Sequence, residues 1–275
     1  MANKDKNNHD HNKDKGFMKI WRLYLSEFIG TALLIGVGVS FVIFDFAKGS
    51  PVSAMISSVG LRRIITGFLF GSTGMLITFS PVGKWSGAHI NPAVTLSFWL
   101  KGKIKTYVAL GYVISQLLGG IAGAAALLVW GKLGKGVFYG ATFPGKEGVF
   151  AAVIGESITT FFLITGLFFF LGHKKLRPYT PALFPFLYAI MVYFEAPISG
   201  TSTNPARSLG PSLISGMWSG WWVYWTGPVI GTFISLFILS KWAPWLKIEV
   251  AKIYHFEHDP YNIFKNTEKR FKSLL

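Results

Sequence analysis

A short motif, Asn-Pro-Ala, occurs twice in this chain and constrains its fold more than any other feature. The two copies are Asn91-Pro92-Ala93 and Asn204-Pro205-Ala206. Asn is a favoured helix N-cap, and Pro is favoured at the first helical position, where an N–H has no intrahelical partner. Each copy is therefore predicted to begin a helix.

The helix predicted after the first copy is short. It has room for about nine residues before the polar sequence Lys101-Gly102-Lys103. At ~1.5 Å per residue it would be roughly 14 Å long, about half of a ~30 Å hydrocarbon layer. One copy alone would favour an ordinary capped helix, but two copies with Ser-Gly shortly upstream are far more specific. A repeated half-length helix in a membrane chain points to a site at the membrane midplane.

The composition is that of a membrane protein. Apolar residues make up 51% of the chain, charged residues only 14%, and the mean hydropathy is +0.43. Soluble domains usually carry about 25% charged residues. The net charge of +15 would suit nucleic-acid binding, but the cations cluster between apolar spans, as in membrane loops. We therefore expect a lipid bilayer around the protein and no nucleic-acid partner.

Six apolar spans approach or exceed the ~20 residues that cross a bilayer. They cover residues 21–44, 62–80, 105–130, 149–171, 180–198 and 220–243. The Asn-Pro-Ala segments follow the second and fifth spans, so three spans with one half-helix occur twice. Because three is odd, the repeats must face opposite ways across the membrane. The predicted fold is an all-α membrane protein with six transmembrane helices and two re-entrant half-helices in an inverted repeat.

A membrane domain over residues 18–243 is predicted, with repeats at about 18–130 and 149–243. Residues 1–17 are polar and low in complexity, which predicts a disordered cytoplasmic tail. Residues 244–275 are predicted to be a basic cytoplasmic tail, either amphipathic on the inner leaflet or solvated. The Lys and Arg bias places both termini in the cytoplasm of a multi-pass protein of the plasma or inner membrane.

The half-helices and one arginine carry the predicted chemistry. Two helix amino ends at the midplane disfavour a cation there, since each carries roughly half a positive charge. If the carbonyl oxygens of Asn91 and Asn204 cap their own helices, the NH2 groups remain to hold a water oxygen and interrupt a proton wire. Arg207 is predicted to line the pore, because an arginine at membrane depth is costly and usually functional. A purely structural arginine tied to backbone carbonyls is the alternative.

Two glutamates and one histidine lie near these motifs. Glu27 and Glu156 occupy repeat-related positions in the first and fourth spans. We favour a structural role, in which they accept N–H bonds from the irregular backbone before each half-helix. The alternative is a proton relay in an ion- or proton-coupled transporter. His89 either lines the vestibule or satisfies loop carbonyls. No catalytic triad, phosphate loop or metal cluster is visible in the sequence, so neither an enzyme nor a cofactor or metal site is expected.

At these positions the chain resembles the aquaporin, or major intrinsic protein, family. The motifs that carry the resemblance are Ser86–Thr95, Asn204–Pro211, Glu27, Glu156 and Tyr224–Pro228. The resemblance covers about residues 18–243. It implies six spanning helices, two half-helices, a pore in each protomer and a homotetramer.

The residues that resemble the family indicate two different solute selectivities. Ser208 and Ser212, which follow the arginine, are similar to water-selective members. At the outer filter, a gap-free count places Val192 where those members usually have His. The same count places Gly71 where they usually have Phe, with Phe70 adjacent.

The resulting filter would be wider and less polar than a strict water filter. It comprises Gly71 or Phe70, with Val192, Thr201 and Arg207. Glu195 is a further departure, predicted either to pair with Arg207 or to face the outer mouth. We therefore predict a passive channel for water and small neutral solutes such as glycerol or urea. A coupled transporter and a junction or adhesion protein are the alternatives.

Overall fold

The computed structural model describes residues 20–264, so the predicted disordered segment 1–17 and residues 265–275 lie outside the described part. Eight helices organise the described chain. They are α1 (Ile20–Phe46), α2 (Val59–Phe79), α3 (Pro92–Leu100), α4 (Thr106–Ala126), α5 (Gly148–Gly172), α6 (Thr180–Ser199), α7 (Pro205–Ser215) and α8 (Val223–Trp242).

The order of long and short helices confirms the predicted architecture. Helix α3 has 9 residues and α7 has 11, and each begins at the proline of its Asn-Pro-Ala motif. Within residues 20–264, five helical segments are long and apolar enough to cross a membrane. The sixth predicted span, α2, has 21 residues and carries Arg62 and Arg63 near its start. At ~1.5 Å per residue its length of about 31 Å also matches a hydrocarbon layer.

Small residues let the helices approach closely. Helix α2 packs on α6, α5 packs on α8, and α4 packs on both α1 and α7. The Gly-x-x-x-Gly of α4 lies against α1, where a Cβ added at Gly119 would lie 2.3 Å from the carbonyl oxygen of Phe28. Only glycine fits at this crossing, as expected for such motifs in membrane helices.

Both ends of the described chain lie on the same face of the molecule, which we call the terminal face. The guanidinium of Arg22, near the start of α1, lies 5.4 Å from the centre of the Trp85 ring. The Trp85 ring in turn lies 4.9 Å from that of His258, beyond α8. An even number of crossings between the two ends explains this arrangement.

The chain after α8 differs from the prediction. Residues 248–264, which we call the C-terminal cap, fold back over the terminal face instead of lying on a leaflet or in solvent. Seven of these residues are buried: Ile248, Val250, Ala251, Lys252, Ile253, Ile263 and Phe264. The mixture of apolar and charged residues that suggested a surface segment reflects packing against the helices.

Candidate functional site

The two half-helices begin as predicted, with an asparagine cap at each amino end. The Asn91 carbonyl oxygen accepts a hydrogen bond from the Ala93 N–H at 2.8 Å. The Asn204 carbonyl oxygen accepts from the N–H groups of Ala206 at 3.0 Å and Arg207 at 3.3 Å. Both asparagines are nearly fully buried. The caps fix the orientation of both side-chain amides.

The amide nitrogens of the same asparagines join the two repeats. Asn91 Nδ2 donates to the Thr203 carbonyl oxygen at 2.9 Å, and Asn204 Nδ2 donates to the Ile90 carbonyl oxygen at 3.0 Å. Each motif thus holds the loop of the other one, related by the inverted repeat. Since an amide NH2 has two hydrogens, each asparagine keeps one for a molecule in the lumen.

Glu27 supports the backbone before the first half-helix. Its carboxylate accepts from the N–H groups of His89 at 3.0 Å and Ile90 at 2.6 Å, and from Gln116 Nε2 at 2.7 Å. Ile90 has a φ of 43°, in the left-handed region that β-branched residues avoid. A backbone in such a region persists only where its surroundings hold it, at a cost of ~1–3 kcal/mol per residue. The three hydrogen bonds supply that support.

Glu156 plays the same part in the second repeat. It accepts from the Ser202 and Thr203 N–H groups, each at 2.7 Å, and from the Ser199 hydroxyl at 2.7 Å. Thr203 has a φ of 54°. Each carboxylate thus accepts three hydrogen bonds, two of them from the backbone before its half-helix, which is the geometry that a structural role requires.

Replacing Glu27 with Gln is expected to destabilise the protein while leaving flux per folded protomer nearly unchanged. The amide NH2 of Gln would face an N–H donor, so at least one charged hydrogen bond is lost, costing ~2 kcal/mol. The apparent melting temperature in detergent should fall, whereas Glu147→Gln, at an exposed loop glutamate, should leave it unchanged. A wild-type flux that requires a proton gradient, lost in Glu27→Gln, would instead support the coupled transporter.

A cavity of about 40 Å³ runs along the two asparagines toward the terminal face. Phe70 and Gly71 both line it, together with Tyr188. At Gly71 an added Cβ would lie 2.4 Å from the Phe184 carbonyl oxygen, so α2 and α6 leave no room for a side chain there. The Phe70 ring lies 5.2 Å from that of Tyr188. The bulk on this wall therefore comes from Phe70, with Gly71 providing close helix packing.

The other predicted filter residues lie apart from this cavity. Arg207 is 5% exposed, and its Nη1 donates to the Gly140 carbonyl oxygen at 2.7 Å. That hydrogen bond uses one of five guanidinium N–H donors. This hydrogen bond holds the arginine in place and uses only part of the guanidinium's capacity to donate. Thr201, 5% exposed, follows Gly200 in the loop before α7, and Val192 on α6 is partly buried.

Glu195 does not pair with Arg207. Neither of its carboxyl oxygens has a hydrogen-bond partner among residues 20–264, although only 5% of the residue is exposed. An added Cβ at Gly155 would lie 2.5 Å from Glu195 Oε1, which places the carboxyl against α5.

His89 is buried beside the two asparagines. It lines the cavity and is 1% exposed, and its Nε2 bonds the Ala251 carbonyl oxygen at 3.0 Å. Its Nδ1 lies 3.2 Å from the Thr95 hydroxyl. Sequence reasoning missed Gln116, whose Nε2 joins Glu27 to the same hydroxyl. A lone polar residue in an apolar span was the only available signal for it.

Comparisons with known proteins agree with this geometry. The family described as "Major intrinsic protein" matches residues 15–239. The chain belongs to the major intrinsic protein family. It is 34% identical over 213 residues to "Probable aquaporin TIP2-2" of Arabidopsis thaliana, covering 76% of this chain and 82% of that protein. It is 31% identical over 224 residues to "Lens fiber major intrinsic protein" of Gallus gallus, covering 78% and 79%.

The fold is also that of a solved family structure. The aquaglyceroporin from Plasmodium falciparum superposes with a TM-score of 0.64 at 18% identity, covering 82% of this chain and 98% of that one. Identity this low supports the shared fold and nothing finer. The sequence-based assignment to this family is confirmed.

Proposed function

We propose that this protein is a passive transmembrane channel for water and for small neutral solutes such as glycerol and urea. The observation that carries the proposal is the reciprocal pairing of Asn91 and Asn204 across the repeat. The pairing brings two half-helix amino ends and two amide N–H donors together, and we propose that they lie at one point of the pore. A neutral solute oxygen is held there, whereas a cation meets two positive helix ends.

Arg207 is proposed as the second barrier. Its guanidinium stays charged under all ordinary conditions and is anchored by the Gly140 carbonyl. A cation that approached it would be repelled, and a hydroxyl or carbonyl oxygen would accept its remaining N–H donors. Val192, Thr201 and the Phe70 side chain are proposed as the other determinants of solute size. A channel of this kind breaks no covalent bond in its solute, so we expect no enzymatic activity.

Paired flux measurements test this function. In proteoliposomes, stopped-flow light scattering should show water flux under an osmotic gradient, and glycerol or urea flux under a solute gradient, each well above protein-free vesicles. Neither flux should require a gradient of protons or sodium, because the glutamates are committed to structural bonds. A flux that follows such a gradient would favour the coupled transporter instead.

The proposed setting is a plasma or inner membrane with both termini in the cytoplasm. The cations of the described chain support this orientation, since the segments on the terminal face contain most of the Lys and Arg residues. A homotetramer is also proposed, from membership of the family. Protease access to tags at each terminus in oriented vesicles would test the orientation.

A further inference from the structure

The C-terminal cap is bonded to the wall of the pore itself. The Ile253 N–H donates to the Gly87 carbonyl oxygen at 3.1 Å, and the Ala251 carbonyl oxygen bonds His89 Nε2 at 3.0 Å. Gly87 and His89 belong to the loop that leads into α3. The contact is tight, because a Cβ added at Gly87 would lie 2.9 Å from the Ala251 carbonyl oxygen.

One side chain of the cap reaches the cavity beside the asparagines. Ile253 is 3% exposed and lines the same cavity as Asn91, Asn204 and His89. A solute that leaves the asparagines toward the terminal face must pass these residues. Ile253 offers it no hydrogen bond, and the cap occupies the hydrogen-bonding nitrogen that His89 would otherwise present.

The cap is a folded unit and not a loose tail. The Asp259 carboxylate accepts from the N–H groups of Ile263 at 2.9 Å and Phe264 at 3.1 Å. The Phe264 carbonyl oxygen then accepts from the Ala251 N–H at 3.1 Å, which closes the segment on itself. A closed segment presents Ile253 in a fixed position.

Lys252 shows that docking takes a charged group out of water. Lys252 is fully buried. Its Nζ donates to the Lys84 carbonyl oxygen and lies 4.9 Å from the centre of the Phe264 ring. Burial lowers the pKa of the Lys252 ammonium to about 8, and the nearby Asp259 carboxylate opposes that shift. Release of the cap returns this ammonium to water, which offsets part of the contact energy that docking provides.

The rim of the cap is held by one ion pair and by contacts of aromatic rings. Arg177 forms an ion pair with the exposed Glu249 at 2.5 Å and lies 4.0 Å from the Phe256 ring centre. The Tyr254 ring lies 4.9 Å from the Phe79 ring. The Glu249 side chain is 62% exposed, so solvent weakens this ion pair, and the rim permits reversible release.

We propose that the C-terminal cap is an autoinhibitory gate, with Ile253 closing the pore on the terminal face while the cap is docked. Release would open the passage and expose His89 Nε2 and the Gly87 carbonyl to the lumen as hydrogen-bonding groups. The proposal rests on the proposed channel function. Because the cap is part of the chain that it closes, it docks at a high effective concentration.

A reversible cross-link tests the gate in the full-length chain. The protein has no cysteine, so Phe79→Cys with Tyr254→Cys creates the only two thiols. A short bis-methanethiosulfonate reagent should lock the docked cap and bring water flux in proteoliposomes down to the vesicle background. Reduction should restore it.

The Tyr254→Cys variant alone, treated with the same reagent, should show no loss of flux on labelling. A second variant, Ile253→Asp, replaces a buried apolar side chain with a charged one, so it should release the cap without a reagent. We expect a water flux above that of the wild type, in protein that elutes as a single species in detergent.

The outcomes separate the gate from the channel. Equal flux in the locked, reduced and Ile253→Asp forms would overturn the gate and leave the channel intact. Absence of water, glycerol and urea flux from every folded form would overturn the channel function, and the gate with it.

Discussion

Arg207→Val is expected to make the pore leak protons and other cations while water flux survives. The substitution removes a fixed positive charge, and two unit charges ~4 Å apart repel by about 4 kcal/mol at an effective dielectric constant of 20. Even one third of that repulsion corresponds to about a tenfold change in rate. We therefore expect proton leak, measured with a pH-sensitive dye trapped in proteoliposomes, to rise at least about tenfold.

Two further variants make this result specific. Arg207→Lys keeps the charge but lacks the planar fork that bonds the Gly140 carbonyl, so it should retain most of the exclusion. Lys146→Val removes a positive charge from an exposed position in the connection between α4 and α5, and it should leave the leak at the wild-type value. If Arg207→Val changes neither proton leak nor solute selectivity, the arginine is purely structural.

Val192→His is expected to cut glycerol and urea flux far more than water flux. Imidazole is bulkier than isopropyl and adds hydrogen-bonding groups, so it should narrow the proposed filter that Val192 and Arg207 share. Each methylene-sized change in a close-fitting site alters discrimination by ~1–3 kcal/mol, or about 10–200-fold. Stopped-flow measurements should therefore show glycerol permeability at least about tenfold lower, with a much smaller loss for water.

The neighbouring position 194 provides a matched control. Phe194 lies on the same helix and is 70% exposed, so Phe194→His adds the same imidazole outside the pore and should change neither flux. A wild-type channel that passes water but rejects both glycerol and urea would contradict the wider filter. The Phe70 ring beside Tyr188 is the structural feature that would then account for the rejection.

Local rules determined much of this protein before any contact was known. Capping by Asn91 and Asn204 and the short lengths of α3 and α7 follow from residues adjacent in the sequence. The odd number of spans between the motifs dictates the inverted repeat. Loop support by Glu27 and Glu156 is predicted because irregular backbone at membrane depth requires hydrogen-bond acceptors, and in the structure each carboxylate accepts N–H bonds from the loop before its half-helix.

Only the tertiary structure decided which distant groups meet. The reciprocal bonds from each asparagine to the opposite loop join residues more than 100 positions apart, and no local pattern encodes them. Phe70 supplies the bulky side chain and Gly71 allows the close helix contact because α2 and α6 pack tightly. A gap-free count along the sequence contains no information about that packing. The sequence pattern of the cap suggested a surface segment. Its burial comes entirely from packing against the terminal face, and sequence patterns do not show such packing.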